Sequence, residues 1–293
     1  MTTPSRTTTP LPPTDRKPRD DEIDVHGLTH AGKVRAENQD HFLLATIHKR
    51  VDVLATNLGP QKQLPLGDQR LAFVAMLADG VGGVEGGAEA SATALEAVMQ
   101  YLNGSMSCLY DPDVTEATFT ESLQQAAMRS HEAVVARGKA QGGTMATTLT
   151  LFMGVWPAYY LLQVGDSRYY LWREGRLTQM TRDQTVAQYL VDIGALTQAQ
   201  ATRTQFANVL ASALGAEAAE PVVTRLEADW HNVHLLCSDG LTKHVSDERI
   251  AERLASMTSA KQVCEQLLQD ALDGGGSDNI TIIVGRQVPK DRP

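Results

Sequence analysis

The chain has 293 residues, 42% of them hydrophobic, and a formal net charge of −9. That much apolar matter buries one substantial core without requiring a second domain, and the negative surface disfavours nucleic-acid partners while suiting cations. Three cysteines without CxxC spacing (Cys108, Cys237 and Cys264) argue against a disulfide framework or a zinc knuckle and fit a reducing cytosol.

No apolar run reaches the roughly 20 residues that cross a bilayer. The N-terminus has no apolar stretch after its charges, so no secretory signal is expected. Residues 1–21, rich in Thr and Pro, read as a disordered tail. Residues 22–288 read as one domain, and 289–293 as a second short tail. The expectation is a cytoplasmic protein, with a monomer as the default.

IDVHGLTH (23–30) and HFLLAT (41–46) read as short strands around a loop at 31–40. Residues 46–70 hold few large apolar side chains and read as a loop or loose hairpin. LAFVAMLADG (71–80) is an apolar run that predicts a strand buried on both faces. GAEASATALEAVMQYLNG and residues 115–140 carry apolar side chains at helical spacing. TTLTLFMGV, AYYLLQVG, RYYLWRE and LTQMT follow in quick succession, with Gly165-Asp166-Ser167 and Glu174-Gly175 between them; they predict an antiparallel meander. Residues 185–203 are helical and polar. VVTRLEA and HNVHLLCSD are strand-like, and Ser246 starts a helix. A further helix runs from Ser259 to Asp273, stopped by Gly274-Gly275-Gly276, and NITIIVGRQV closes the chain as a strand. Strands in batches, with helices in pairs, disfavour a Rossmann fold or a TIM barrel. They predict an α+β architecture: two packed antiparallel sheets with helices on the outer faces.

Four aspartates recur in one setting. Asp79, Asp166 and Asp239 each end an apolar run and precede Gly or Ser, and Asp278 precedes Asn279 and the strand ITIIV. One such acid alone reads equally well as an ordinary turn residue. Four at the mouths of buried strands repel one another unless positive charge holds them. Hard divalent cations with oxygen ligands, Mg²⁺ or Mn²⁺, meet that need. Gly80, next to Asp79, leaves its carbonyl open to a metal. The phosphate-cradling forms GxGxxG and GxxxxGK[ST] are absent. Arg35 offers a bidentate grip on phosphate. The histidines, including His26, His30, His231 and His234, lack ligand spacing and read as surface or core residues.

VRAENQD, ADGVGG, ATTLTLFMG, VGDSR, LTQMTRDQT, LLCSDGL and GGGSDNITIIV, in that order over residues 27–285, resemble the PP2C (PPM) family of metal-dependent protein phosphatases in its bacterial form. The resemblance implies a four-layer αββα sandwich and a protein serine/threonine phosphatase. It implies that Asp79 bridges two Mn²⁺ or Mg²⁺ ions, with the Gly80 carbonyl on one. Asp239 and Asp278 would complete the first ion's ligands, and Asp166 would belong to a third, looser site. Arg35 would bind the substrate phosphate, and Asp40 would hold water from behind the metals. Residues 185–203 would form a flap beside the site. Gln39, Val81, Ala146 and Gln184 depart from the family pattern. Val81 stands where many eukaryotic members have a histidine general acid, so the leaving group must be protonated from elsewhere.

The mechanism implied is attack by a metal-bridging hydroxide on phosphoserine or phosphothreonine, without a phosphoenzyme. The partners implied are phosphorylated proteins, a serine/threonine kinase and its substrates. Two other readings compete: a catalytically silent phosphoprotein-binding module, and a Ca²⁺-binding structural protein. Intact Asp79, Asp239 and Asp278 disfavour the first, and the lack of a DxDxDG loop disfavours the second.

Overall fold

A computed structural model describes residues 16–55, 67–81, 86–104, 106–110 and 113–290. In chain order the strands and helices are β1 (Ile23–His30), β2 (Asp40–Val51), β3 (Gly67–Asp79), α1 (Gly87–Gly104), α2 (Glu116–Ala140), β4 (Leu149–Val155), β5 (Ala158–Val164), β6 (Arg168–Arg173), β7 (Arg176–Gln179), α3 (Val186–Asp192), α4 (Gln198–Ala201), β8 (Val222–Glu227), β9 (Val233–Cys237), α5 (Asp239–Thr242), α6 (Asp247–Ala255), α7 (Ala260–Asp273) and β10 (Ile280–Gln287).

Side chains alternate across a strand, and β3 uses both of its faces. Ala72, Val74, Met76 and Ala78 join the core under α1 and α2. Phe73, Ala75 and Leu77 face the other way, into a core shared with Phe152, Tyr169, Leu236 and Ile283. A third core lies between β9, β10 and the helices α5, α6 and α7. Three cores separate four layers: helices, sheet, sheet, helices. The sheets are β1-β10-β9-β6-β7 and β2-β3-β4-β5-β8, antiparallel throughout. The expected αββα sandwich is therefore present. No described helix is long and apolar enough to cross a membrane.

One expectation about strand pairing needs correction. The four strands after residue 147 do not form one meander. β4 and β5 pair in one sheet, β6 and β7 in the other, and the chain crosses between sheets at Gly165-Asp166-Ser167. Gly165 has φ +104°, a conformation that L side chains rarely adopt, and because β5 and β6 belong to different sheets, what resembles a hairpin turn is a change of layer. Of the two readings of residues 46–70, the hairpin holds at 46–51 and 67–70, because β2 and β3 form a long ladder from Asp40↔Asp79 to Val51↔Gly67. The tip of the 46–70 segment, residues 56–66, lies outside the described residues. The helical stretch at 185–203 resolves into α3 and α4, capped by Thr185 and Thr197.

The expected tail also shortens. Residues 1–15 and 291–293 lie outside the described residues, but Arg16 to Asp21 pack onto the domain. Glu22 is fully buried. Its carboxylate accepts from Arg16 Nη1 and Nη2 at 2.7 and 2.6 Å, from the Arg19 N–H at 2.8 Å and from the Lys290 N–H at 3.2 Å. Arg16 lies 4.6 Å over the Trp230 ring, and the Trp230 indole donates to the Arg16 carbonyl.

The Arg16 hydrogen bond outweighs burial and holds the Glu22 carboxyl down at about 2. An acid with a depressed folded-state pKa stabilises above its unfolded value and loses that stability as pH falls. Thermal melts across pH should therefore place Glu22→Gln below wild type at neutral pH, with the gap closing from about pH 4.5 towards pH 2. A gap that does not change with pH would refute this role.

Candidate metal centre

The parity that packs Phe73, Ala75 and Leu77 between the sheets carries on to Asp79, which ends β3 at the edge of that same core. Asp40 begins β2 directly opposite, in register with Asp79, and shares the inward parity of Phe42 and Leu44. The layer crossing after β5 brings Asp166 to the same end of the sandwich. Asp239 opens α5 where β9 stops, and Asp278 precedes β10. Asp79, Asp166, Asp239 and Asp278 line one cavity of about 670 Å³, with Arg35 and Gly80. Six of the seven residues singled out in the sequence line it, and the seventh, Asp40, is buried beside Asp79.

Backbone contacts fix these positions. The Asp79 N–H donates to Thr148 Oγ1 at 3.0 Å, and its carbonyl accepts from the Thr148 N–H and Thr147 Oγ1 at 2.9 Å each. Thr148 Oγ1 in turn meets Ser167 Oγ at 2.9 Å, tying β4 to the layer crossing. Gln184 clamps that crossing from both sides: its Oε1 accepts from the Gly165 N–H at 2.7 Å and its N–H donates to the Gly165 carbonyl. Asn279 accepts from the Gln39 N–H and donates to the carbonyls of Ala31 and Glu37, which locks the loop bearing Arg35 onto the start of β10. A Cβ on Gly80 would stand 2.4 Å from the Gly87 carbonyl oxygen, so only glycine lets α1 approach here. Gly82 and Gly83 lie outside the described residues.

The electrostatics are those of crowded acids. Burial raises Asp79 well above its ordinary range, and Asp40, Asp239, Asp166 and Asp278 push it further. Burial lifts Asp40 to about 6, against a 2.7 Å hydrogen bond from Thr281 Oγ1. Burial, then the charge of Asp239, lifts Asp166 to about 7. Asp239 rises through burial although Lys243 opposes it. Asp278 moves the other way: burial would raise it, but hydrogen bonds from Arg35 and Lys243 win. Arg35 meets Asp278 through Nε at 2.7 Å and Nη2 at 2.9 Å.

This pocket fits hard divalent cations. Its donors are oxygens, its acids repel one another, and the buried Asp40 Oδ1 has no hydrogen-bond partner among the described residues. The carboxylates do not yet close on a point. Among the described residues, no three His, Cys, Asp or Glu side chains form a ready-made ligand cluster. Lys243 reaches in between instead, with Nζ 2.6 Å from Asp239 Oδ2 and 2.7 Å from Asp278 Oδ2.

Lys243, Thr148, Ser167 and Asn279 escaped the sequence reading. Thr148, Ser167 and Asn279 stand inside the quoted motifs ATTLTLFMG, VGDSR and GGGSDNITIIV, but nothing local assigns them a role at the site. His234 is a core residue as expected. It is buried between the sheets with Nδ1 2.6 Å from the Tyr169 hydroxyl, and burial lowers it to about 4.

Comparison with known proteins agrees with this architecture. The family model for protein phosphatase 2C matches residues 66–274. The serine/threonine protein phosphatase PstP of Mycobacterium tuberculosis is 35% identical over 73% of this chain, which spans 40% of that relative's length. The serine/threonine phosphatase stp of Listeria monocytogenes is 27% identical over 72% of this chain and 83% of its own. A crystal structure of the M. tuberculosis enzyme superposes with a TM-score of 0.72 at 30% identity, covering 91% of this chain and 99% of that one. A second, of the PstP catalytic domain in complex with two manganese ions, gives 0.69 at the same identity and coverage. With most of its folded length matched and its sandwich shared, the chain belongs to the protein phosphatase 2C family.

Proposed function

We propose that the chain is a metal-dependent protein serine/threonine phosphatase acting on phosphoserine and phosphothreonine in other proteins. The observation that carries this reading is the convergence of carboxylates from separate segments on one open cavity rimmed by Arg35. Family membership supports it, as does the relative crystallised with two manganese ions.

Asp79, the Gly80 carbonyl, Asp239 and Asp278 would hold two Mn²⁺ or Mg²⁺ ions, and Asp166 would serve a third. When bound, the ions supply Lewis-acid activation of water and neutralise charge on the phosphoryl oxygens. Arg35 grips the phosphate with the guanidinium fork that now holds Asp278. Asp40, steadied by Thr281, turns its free Oδ1 to accept a hydrogen bond from water. No cysteine thiolate competes. All three cysteines are buried, and burial pushes the thiols of Cys237 and Cys264 up to about 12, which is consistent with hydrolysis in one displacement and no phosphoenzyme.

The segment bearing α3 and α4 borders Asp166 and serves as the flap that covers the substrate. Phosphorylated proteins, supplied by a serine/threonine kinase, are the partners. The working form is a monomer in the cytoplasm.

Phosphate release from a phosphothreonine peptide tests the reading. Activity should require Mn²⁺ or Mg²⁺, vanish with a chelator and return when metal is restored. Asp239→Asn should abolish it, and Arg35→Ala should lower kcat/KM by about 10²-fold. Turnover that survives chelation, or an unaffected Asp239→Asn protein, would overturn it.

A further inference from the structure

Lys243 follows α5 directly, one turn beyond Asp239, so its side chain folds back onto the carboxylate that opens the helix. It also reaches Asp278, which arrives from a separate segment 35 residues further along the chain. About a quarter of its side chain is exposed. The ammonium thus spans Oδ2 of both acids, at 2.6 and 2.7 Å. The proposed function assigns these same two acids to one divalent ion, and the inference rests on that reading.

A hard cation on these two acids competes with the ammonium: Lys243 holds Oδ2 of each, and Arg35 holds Oδ1 of Asp278. Ion and ammonium seek the same lone pairs at close range, and the two positive charges repel. Charge balance points the same way. Asp40, Asp79, Asp166, Asp239 and Asp278 bring five negative charges when ionised. Divalent ions at the three positions assigned above bring six positive charges without Arg35, which is given to the phosphate, so Lys243 is surplus once they bind. Lys243 and Arg35 are the cations that meet Asp239 and Asp278 among the described residues.

We propose that Lys243 is a resident counter-cation of the acidic centre: it bridges Asp239 and Asp278 while the protein is metal-free, and it must be displaced before the ion they share can bind. Metal loading is then an exchange of one cation for another. The lysine holds the empty centre together and weakens the affinity of the ion that replaces it.

Calorimetric titration of Mn²⁺ into the chelator-treated full chain, without substrate, tests this. Wild type, Lys243→Ala, Lys243→Arg and Asp239→Asn are compared. Lys243→Ala should bind Mn²⁺ about tenfold more tightly than wild type, a gain of about 1.4 kcal/mol, while Lys243→Arg stays close to wild type. Melting in chelator supplies a second readout. Lys243→Ala should melt several degrees below wild type there and match it in saturating Mn²⁺. If alanine prevents folding, Lys243→Met keeps the aliphatic stem and carries the same comparison. Equal or weaker Mn²⁺ binding by the uncharged variant overturns the inference and leaves the proposed function standing. Absence of Mn²⁺ binding in wild type and variant alike overturns both. Loss of binding in Asp239→Asn alone identifies the shared ligand.

Discussion

Asp79→Asn should lose manganese-dependent phosphatase activity by about 10³-fold or more while folding normally, and its metal-free form should melt higher than wild type. The substitution changes charge and almost nothing else. Asp79 is fixed through its backbone by Thr147 and Thr148, and these contacts do not involve the carboxylate. Asparagine keeps the shape, so β3 and its register with β2 survive. What disappears is a negative charge at the meeting point of the other acids, and with it a ligand for the divalent ions whose positive charge would stabilise the transferring phosphoryl group. The rise in melting temperature follows from the repulsion described above. An acid driven well above its ordinary pKa by burial and four like charges costs stability when ionised. Phosphopeptide assays with Mn²⁺, paired with melts in chelator, read both effects. Activity within tenfold of wild type would remove Asp79 from the centre of the mechanism.

Gly240→Ala should be among the most damaging single methyl groups that can be added to this protein. A Cβ there would lie 1.9 Å from the Asn279 carbonyl oxygen and 2.9 Å from its carbonyl carbon. Both atoms belong to the backbone, so no rotamer relieves the clash. The start of α5 and the start of β10 must move apart, and these segments carry Asp239 and Asp278. The expected cost is about 3 kcal/mol or more, which for a domain of this size lowers Tm by about 6 °C or more. Mn²⁺ affinity should fall with it, because the two acids separate. Gly104→Ala is the control: a Cβ there meets nothing within 4 Å, and its Tm should stay near wild type. Equal melting temperatures for the two variants would refute the argument.

The sandwich was legible because its strands announce themselves. LAFVAMLAD alternates between two cores, and a strand buried on both faces reads as an unbroken apolar run. The acids were legible for the same reason, since each interrupts or borders such a run. Spatial pairing was not. The β5–β6 connection has the composition of a hairpin turn, and only packing decides that the chain changes layer at Gly165. Lys243 was invisible because a lysine after a short helix is ordinarily a solvated side chain; its role depends on Asp278, which local pattern cannot bring near. The docking of Arg16 likewise depends on Trp230, more than 200 residues away.

The knot of hydrogen bonds at Glu22 has a geometric corollary. β1 leaves it at Ile23, and β10 returns to it at Gln287, paired in register along eight residues. Both ends of the described chain therefore emerge side by side, about 25 Å of strand away from the carboxylates. A fused domain, a surface tether or a loop joining the two ends into a circular permutant would attach at this remote pole and leave the mouth of the cavity clear for a large protein to dock.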